Sequence, residues 1–272
     1  MATRTAKGTA KLKASGTTLT LASVSANAGD ALIVCVGCQQ QNAPASVTWG
    51  SRELTRSAFV PNSTSGHASG IWIARSLVNT ATRDIVATWA SAIGARALFA
   101  FTLSEGHIRD QFATATQTAS TAPSAGPTSV LGEFNDFAIG ILCAEGPSSD
   151  TAPTASGWTA GQSDGTLGAP PISNITIHEF YKQISGDDSA VTLSGTGATA
   201  RDWANCVVAY REIAGLAPFD SSGAELLVGD TVDFEGSEST ISSFTTEQGI
   251  PAIVCVLADG RQVFSYYCAL VK

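Results

Sequence analysis

The chain repeats itself once, and any fold must accommodate two similar halves. Gly29-Asp30-Ala31-Leu32-Ile33-Val34-Cys35-Val36 is matched by Asn135-Asp136-Phe137-Ala138-Ile139-Gly140-Ile141-Leu142-Cys143-Ala144, with Cys35 and Cys143 coinciding at a shift of 108 residues. Val47-Thr48-Trp49-Gly50 meets Ser156-Gly157-Trp158-Thr159 at a shift of 109. Ile71-Trp72-Ile73-Ala74-Arg75 meets Glu179-Phe180-Tyr181-Lys182, Asp84 to Thr88 meets Ala190 to Leu193, and Ala97 to Thr102 meets Cys206 to Arg211. The matches run in chain order with their spacing kept. Duplication, or a pseudo-symmetric architecture, explains this better than chance likeness among β-rich segments.

Each matched segment reads as a strand. Asp30 to Gly37 and Phe137 to Ala144 are apolar on both phases of a two-residue period, which suits central strands buried on two faces. Thr176-Ile177-His178-Glu179-Phe180-Tyr181 alternates more clearly, and β-branched and aromatic residues dominate throughout. Thr18-Leu19-Thr20-Leu21 adds a strand ahead of the first half. Clusters such as Pro61 to Gly66 and Ser185 to Asp188 supply turn chemistry between strands. No segment carries an apolar stripe of helical period and length. The pattern predicts an all-β fold, a pseudo-repeated β-sandwich of jelly-roll type.

Thr114 to Pro127, made of Thr, Ala, Ser, Gln, Gly and Pro, reads as a linker between halves at about 17–113 and 128–213. Four or five strands are too few for either half to bury enough apolar surface alone, so one sandwich with a long crossover is expected over 17–215. A second boundary falls at Ala214 to Pro218. Residues 216–272 carry 8 acids and 2 bases, against 15 acids and 13 bases before them, and Asp259-Gly260 marks a two-residue hairpin. They read as a small acidic SH3-like β-barrel that leans on the main domain or a partner.

Composition excludes several roles. Only 14% of residues are charged, while 44% are hydrophobic, too many for a disordered chain. No apolar run reaches the roughly 20 residues of a membrane helix, so no membrane partner is expected. The net charge of −8 argues against nucleic acid, whose phosphates demand a basic surface. Basic residues concentrate only at the start, where residues 1–16 hold Arg4, Lys7, Lys11 and Lys13. This arm is either solvated and frayed or docked on an acidic neighbouring subunit. It lacks the apolar stretch of a secretory signal, so synthesis in a cytoplasm without classical export is expected.

The chemistry-bearing residues form no recognised motif. Cys35-Val36-Gly37-Cys38 is a C-x-x-C without a second pair to complete a zinc site, and it lies in a strand rather than at a helix start. Cys35, Cys38, Cys143, Cys206, Cys255 and Cys268 are read as buried free thiols, with disulfides within or between subunits as the alternative. His178 reads as a solvent-facing strand residue, His67 as a loop residue, and the adjacency of Ser104 and His107 does not make a triad. Asp150, Asp164, Asp187 and Asp188 lack the spacing of a calcium loop and read as turn carboxylates. Trp49, Trp72, Trp89, Trp158 and Trp203 fit core packing, with an exposed platform for a sugar as the alternative. No cofactor, metal or catalytic residue is expected.

The order of elements resembles a known class. A Gly-Asp-x-Leu-Ile-Val strand (Gly29 to Val34) is followed by a Val-Thr-Trp-Gly hairpin (Val47 to Thr55). A Trp-containing strand (Ile71 to Arg75), an Ile-Val-x-Thr strand (Ile85 to Thr88) and a closing strand (Ala97 to Ser104) complete it. Over roughly 17–213 this resembles the jelly-roll-type β-sandwich of tailed-bacteriophage virion proteins and some bacterial surface proteins. The resemblance implies a non-enzymatic capsid decoration or head-fibre protein in the virion, often a homotrimer bound to the major capsid or other virion proteins. The alternative it leaves is an adhesin module for a cell-surface glycan or receptor.

Overall fold

The computed structural model describes residues 2–75, 77, 81–104, 106–131, 136–184, 190–212, 231–234, 237–246, 253–258, 260, 262–264 and 269–270. The described residues form an all-β, antiparallel structure of β-sandwich type. The first half holds β1 (Arg4–Leu12), β2 (Gly16–Ala26), β3 (Ala31–Cys38), β4 (Ser46–Trp49), β5 (Arg52–Glu53), β6 (Thr55–Asn62), β7 (His67–Ala74), β8 (Ala81–Ile93) and β9 (Arg96–Leu103). The second holds β10 (His107–Ser120), β11 (Ser124–Ala125), β12 (Asp136–Glu145), β13 (Thr154–Ala155), β14 (Thr159–Gly165), β15 (Ile175–Gln183), β16 (Leu193–Thr196) and β17 (Arg201–Glu212). In the tail, β18 (Thr231–Phe234), β19 (Ser237–Thr246), β20 (Ile253–Leu257), β21 (Gln262–Phe264) and β22 (Ala269–Leu270) make a five-stranded sheet of their own, ordered β21-β20-β19-β18-β22.

The repeat appears as repeated topology. The first half forms a sheet ordered β1-β9-β3-β7-β6 and an outer sheet β2-β8-β4-β5. The second forms β10-β17-β12-β15-β14 and an outer sheet β11-β16-β13, the same order strand for strand apart from β5. Cys35 and Cys143 occupy equivalent places in the central strands β3 and β12.

The sandwich expected over 17–215 is built in more than two layers. The two five-stranded sheets pack against each other around Ile33, Phe99, Phe101, Ile139, Ile177 and Val208. Each also buries its other face under its own outer sheet, through Leu32, Val34, Trp72 and Leu98 in the first half and Leu142, Phe180, Trp203 and Val207 in the second. The order is therefore outer, central, central, outer. A strand apolar on both phases needs apolar neighbours on both faces, and only an inner layer supplies them. Every residue of β3, β7 and β9 is buried.

Two segments depart from their sequence reading. The N-terminal stretch is not a frayed arm, because β1 pairs with β9 from Arg4 opposite Leu103 to Leu12 opposite Arg96. Nor is Thr114 to Pro127 a linker, because β10 pairs with β17 from His107 to Ser120, and the second half begins there. Both segments are the same edge strand of the repeat, and among the described residues each pairs with a neighbouring strand on one side only. Gly8 sits at the register shift in β1 with φ +113°, a conformation that needs no Cβ.

Candidate functional site

The basic residues singled out in the sequence lie along one seam, where the edge strand β1 runs beside β14, the edge of the other central sheet. The Arg4 guanidinium forks onto Glu179, donating from Nε to Oε1 at 2.6 Å and from Nη2 to Oε2. It lies between the rings of Phe101 and Tyr181, 4.9 and 4.8 Å from their centroids, and Tyr181 stacks on Phe137. The Glu179 side chain is 0% exposed and that of Arg4 only 10%. Glu179 Oε2 also accepts the Gln162 amide at 2.8 Å, and Gln162 donates from Nε2 to the Ala100 carbonyl at 2.8 Å. Further along, Lys11 pairs with Asp164 at 2.7 Å and Lys13 donates to the Ala169 carbonyl at 3.3 Å. Burial pushes the Asp164 carboxyl up, but hydrogen bonds from Lys11, Thr9 and the Gly165 amide outweigh it and hold the group below its ordinary range. Lys7 is half-buried at the bulge. The acidic surface that Arg4 and Lys11 meet is thus the second half of their own chain.

The thiols lie inside. Cys35, Cys143 and Cys206 belong to the core between the central sheets, and Cys38 to the outer core of the first half. Residues three apart on a strand point to opposite faces, so Cys35 and Cys38 cannot share a metal ion. Cys255 is buried in the tail, and Cys268 lies outside the described residues. Burial pushes the Cys38 and Cys206 thiols up to about 12 and raises those of Cys35 and Cys143 well above the ordinary value. In the native protein, Cys35, Cys38, Cys143 and Cys206 should react with a thiol reagent such as DTNB at least about 1,000-fold more slowly than in urea. Mass mapping of the modified residues checks this, and rapid native labelling of any of the four overturns it.

The sequence reading missed one polar site. Leu142 faces His178 across β12 and β15, as Val34 faces Trp72 across β3 and β7. His178 therefore takes the place in the second half that Trp72 holds in the first. It is 6% exposed, not solvent-facing as its alternation suggests. The strands that would cover it are short in this half. A cavity of about 10 Å³, room for one water molecule, lies there among Thr176, His178, Asp150, Arg201 and Trp203. His178 Nδ1 and Ser163 Oγ are 2.8 Å apart. Burial lowers the imidazole to about 4, although the Asp150 carboxylate works against that. Asp150 is engaged by Arg201 at 2.7 Å, so the carboxylate pairs with the guanidinium and does not orient the ring as a triad member would. The sequence repeat sets Phe180 against Trp72, two residues away from the structural register, so the polar residue in the tryptophan's place shows only in the strand pairing.

The remaining candidates resolve more simply. His67 is not in a loop but opens β7, fully buried, with Nδ1 2.6 Å from Ser65 Oγ, and burial lowers it to about 4. Ser104 Oγ accepts the Thr3 amide, and His107 is buried at the start of β10. Asp150 and Asp164 are both held by bases, while Asp187 and Asp188 lie outside the described residues. Trp49, Trp72, Trp89 and Trp203 are buried and Trp158 half-buried. Trp49 and Trp158 serve alike: each indole donates to a backbone carbonyl, of Val24 and Thr192, and carries a cation on its ring, Arg83 and Lys182. An open cleft of about 480 Å³ lies where the chain crosses from β5 to β6, lined by Ser46, Glu53, Thr55, Arg56 and Trp72. No family model matches this chain, and no curated protein or solved structure matches it.

Proposed function

We propose that this chain is a non-enzymatic structural protein of a bacteriophage virion, a capsid decoration or head-fibre protein that binds and stabilises the particle surface. The observation that carries the reading is the use made of its aromatic and charged groups. Four of the five tryptophans lie in the cores, and the basic segment ties one half of the chain to the other. Groups that a glycan binder would display are here employed in holding layers together. The order of strands and turns resembles that of virion proteins, and the small acidic β tail suits the SH3-like appendages that such proteins carry. The test is co-sedimentation with purified particles of the phage encoding the chain, together with particle mass spectrometry. The expected result is a protein present in stoichiometric copies that raises the melting temperature of the capsid. Its absence from particles overturns the reading.

A second reading, a glycan- or receptor-binding module, is favoured by the cleft at Glu53 and Arg56, whose carboxylate, guanidinium and neighbouring hydroxyls suit a hydroxylated ligand. Binding in a glycan array that Glu53→Gln abolishes would select it.

A further inference from the structure

The four edges of the two central sheets are not equally protected. An unpaired edge is a template for another strand, and proteins block it with charge, proline and bulges. β1 carries Lys7, Lys11 and a bulge, and it is tied by side chains to β14. β14 carries Asp164 and a register break between Ala160 and Ser163. β6 carries Arg56, Pro61 and a break between Arg56 and Ala58. β10 differs. Its breaks lie at its two ends, and between them Gln111 to Gln117 keep unbroken register with Ala209 to Trp203 of β17. That run, Gln111-Phe112-Ala113-Thr114-Ala115-Thr116-Gln117, has no charge and no proline. Among the described residues no strand pairs with its outer edge.

The run is also nearly palindromic. Paired antiparallel with itself about Thr114, it sets Gln111 against Gln117, Phe112 against Thr116, Ala113 against Ala115 and Thr114 against Thr114. Such pairing is what an isologous two-fold interface requires, since each residue meets its mirror position on an identical surface. Phe112 is 45% exposed, with the Arg109 guanidinium 4.7 Å from its ring centroid. It lies on the face of β10 that β6 overlies, and an aromatic packs well across strands on a threonine.

We propose that Gln111–Gln117 is a self-association edge, on which a second copy of this chain pairs its own β10 antiparallel about a two-fold axis at Thr114, joining two five-stranded sheets into one of ten strands. This stands independently of where the assembly is used.

Sedimentation equilibrium of the full chain tests it. The expected result is a reversible monomer–dimer equilibrium. Thr114→Lys places two ammonium groups against each other at the axis and should raise the dimer dissociation constant about tenfold or more. Phe112→Glu and Thr116→Lys should each weaken the dimer. The double variant should recover it, because each new carboxylate then faces the new ammonium of the mate. In the unmodified protein, amide exchange between Gln111 and Gln117 should slow as concentration rises, a readout that needs no variant to fold. A chain monomeric at millimolar concentration, a trimer, or a dimer indifferent to Thr114→Lys overturns the proposal.

Discussion

Arg4→Ala is expected to destabilise the fold by about 3–5 kcal/mol, a large part of the roughly 5–15 kcal/mol that holds an ordinary domain together. The size follows from Glu179, whose side chain is fully buried. Removing the guanidinium leaves a carboxylate in the core with only the Gln162 amide to solvate it, and strips the cation from the Phe101 and Tyr181 rings. The same substitution in a Glu179→Gln background should cost much less, since no charge is then stranded, and the difference measures the coupling. Lys11→Ala should cost below about 1 kcal/mol, because the Lys11 side chain is 48% exposed and its pair is screened by water. Urea unfolding of the four variants gives these values. A loss under 1 kcal/mol for Arg4→Ala would show that the seam between the halves does not depend on this pair.

Acid should unfold the protein well before its carboxylates are consumed. His67 and His178 are each lowered by burial from 6.5 to about 4. The folded state therefore favours the neutral ring, while the unfolded chain takes up protons once the pH falls below 6.5. The stabilisation is fully present above about pH 6.5, is lost progressively on the way down to about 4, and changes no further once both states are protonated. At 1.36 kcal/mol per pH unit, each histidine accounts for about 3 kcal/mol across that window. His178→Gln, which keeps a partner for Ser163 but cannot titrate, should remove about half of the slope. Stability measured by urea unfolding between pH 7.5 and 4.5 checks this, with the imidazole resonances followed by NMR. A flat profile across that range, or a ring that titrates near 6.5 in the folded protein, overturns it.

The strands were most legible where burial leaves a local mark. Asp30 to Gly37 and Phe137 to Ala144 are apolar on both phases, and each contains a strand at the centre of its sheet. The same logic failed at the edges. Arg4 to Leu12 was read as an arm and Thr114 to Ser120 as the start of a linker, yet the two fall in equivalent strands. An edge strand bonds on one side only and half faces water, so its composition is that of a loop. The partners that make it a strand, β9 for β1 and β17 for β10, lie about 90 residues further along the chain.

His178 was misplaced for a related reason. Alternation says that it points away from Ile177, and it does, since Ile177 lies in the core between the central sheets while His178 lines the outer cavity. Alternation cannot say that the opposite face is also covered. By itself the sequence determined an all-β chain built from two similar halves, because strand period and repeat spacing are properties of neighbouring residues. Only the tertiary structure decided that the halves stack through their largest sheets, that the basic segment closes the seam between them, and that all three histidines are buried. Those outcomes depend on which faces meet, and contacts between residues 100 or more apart leave no periodic trace in the chain.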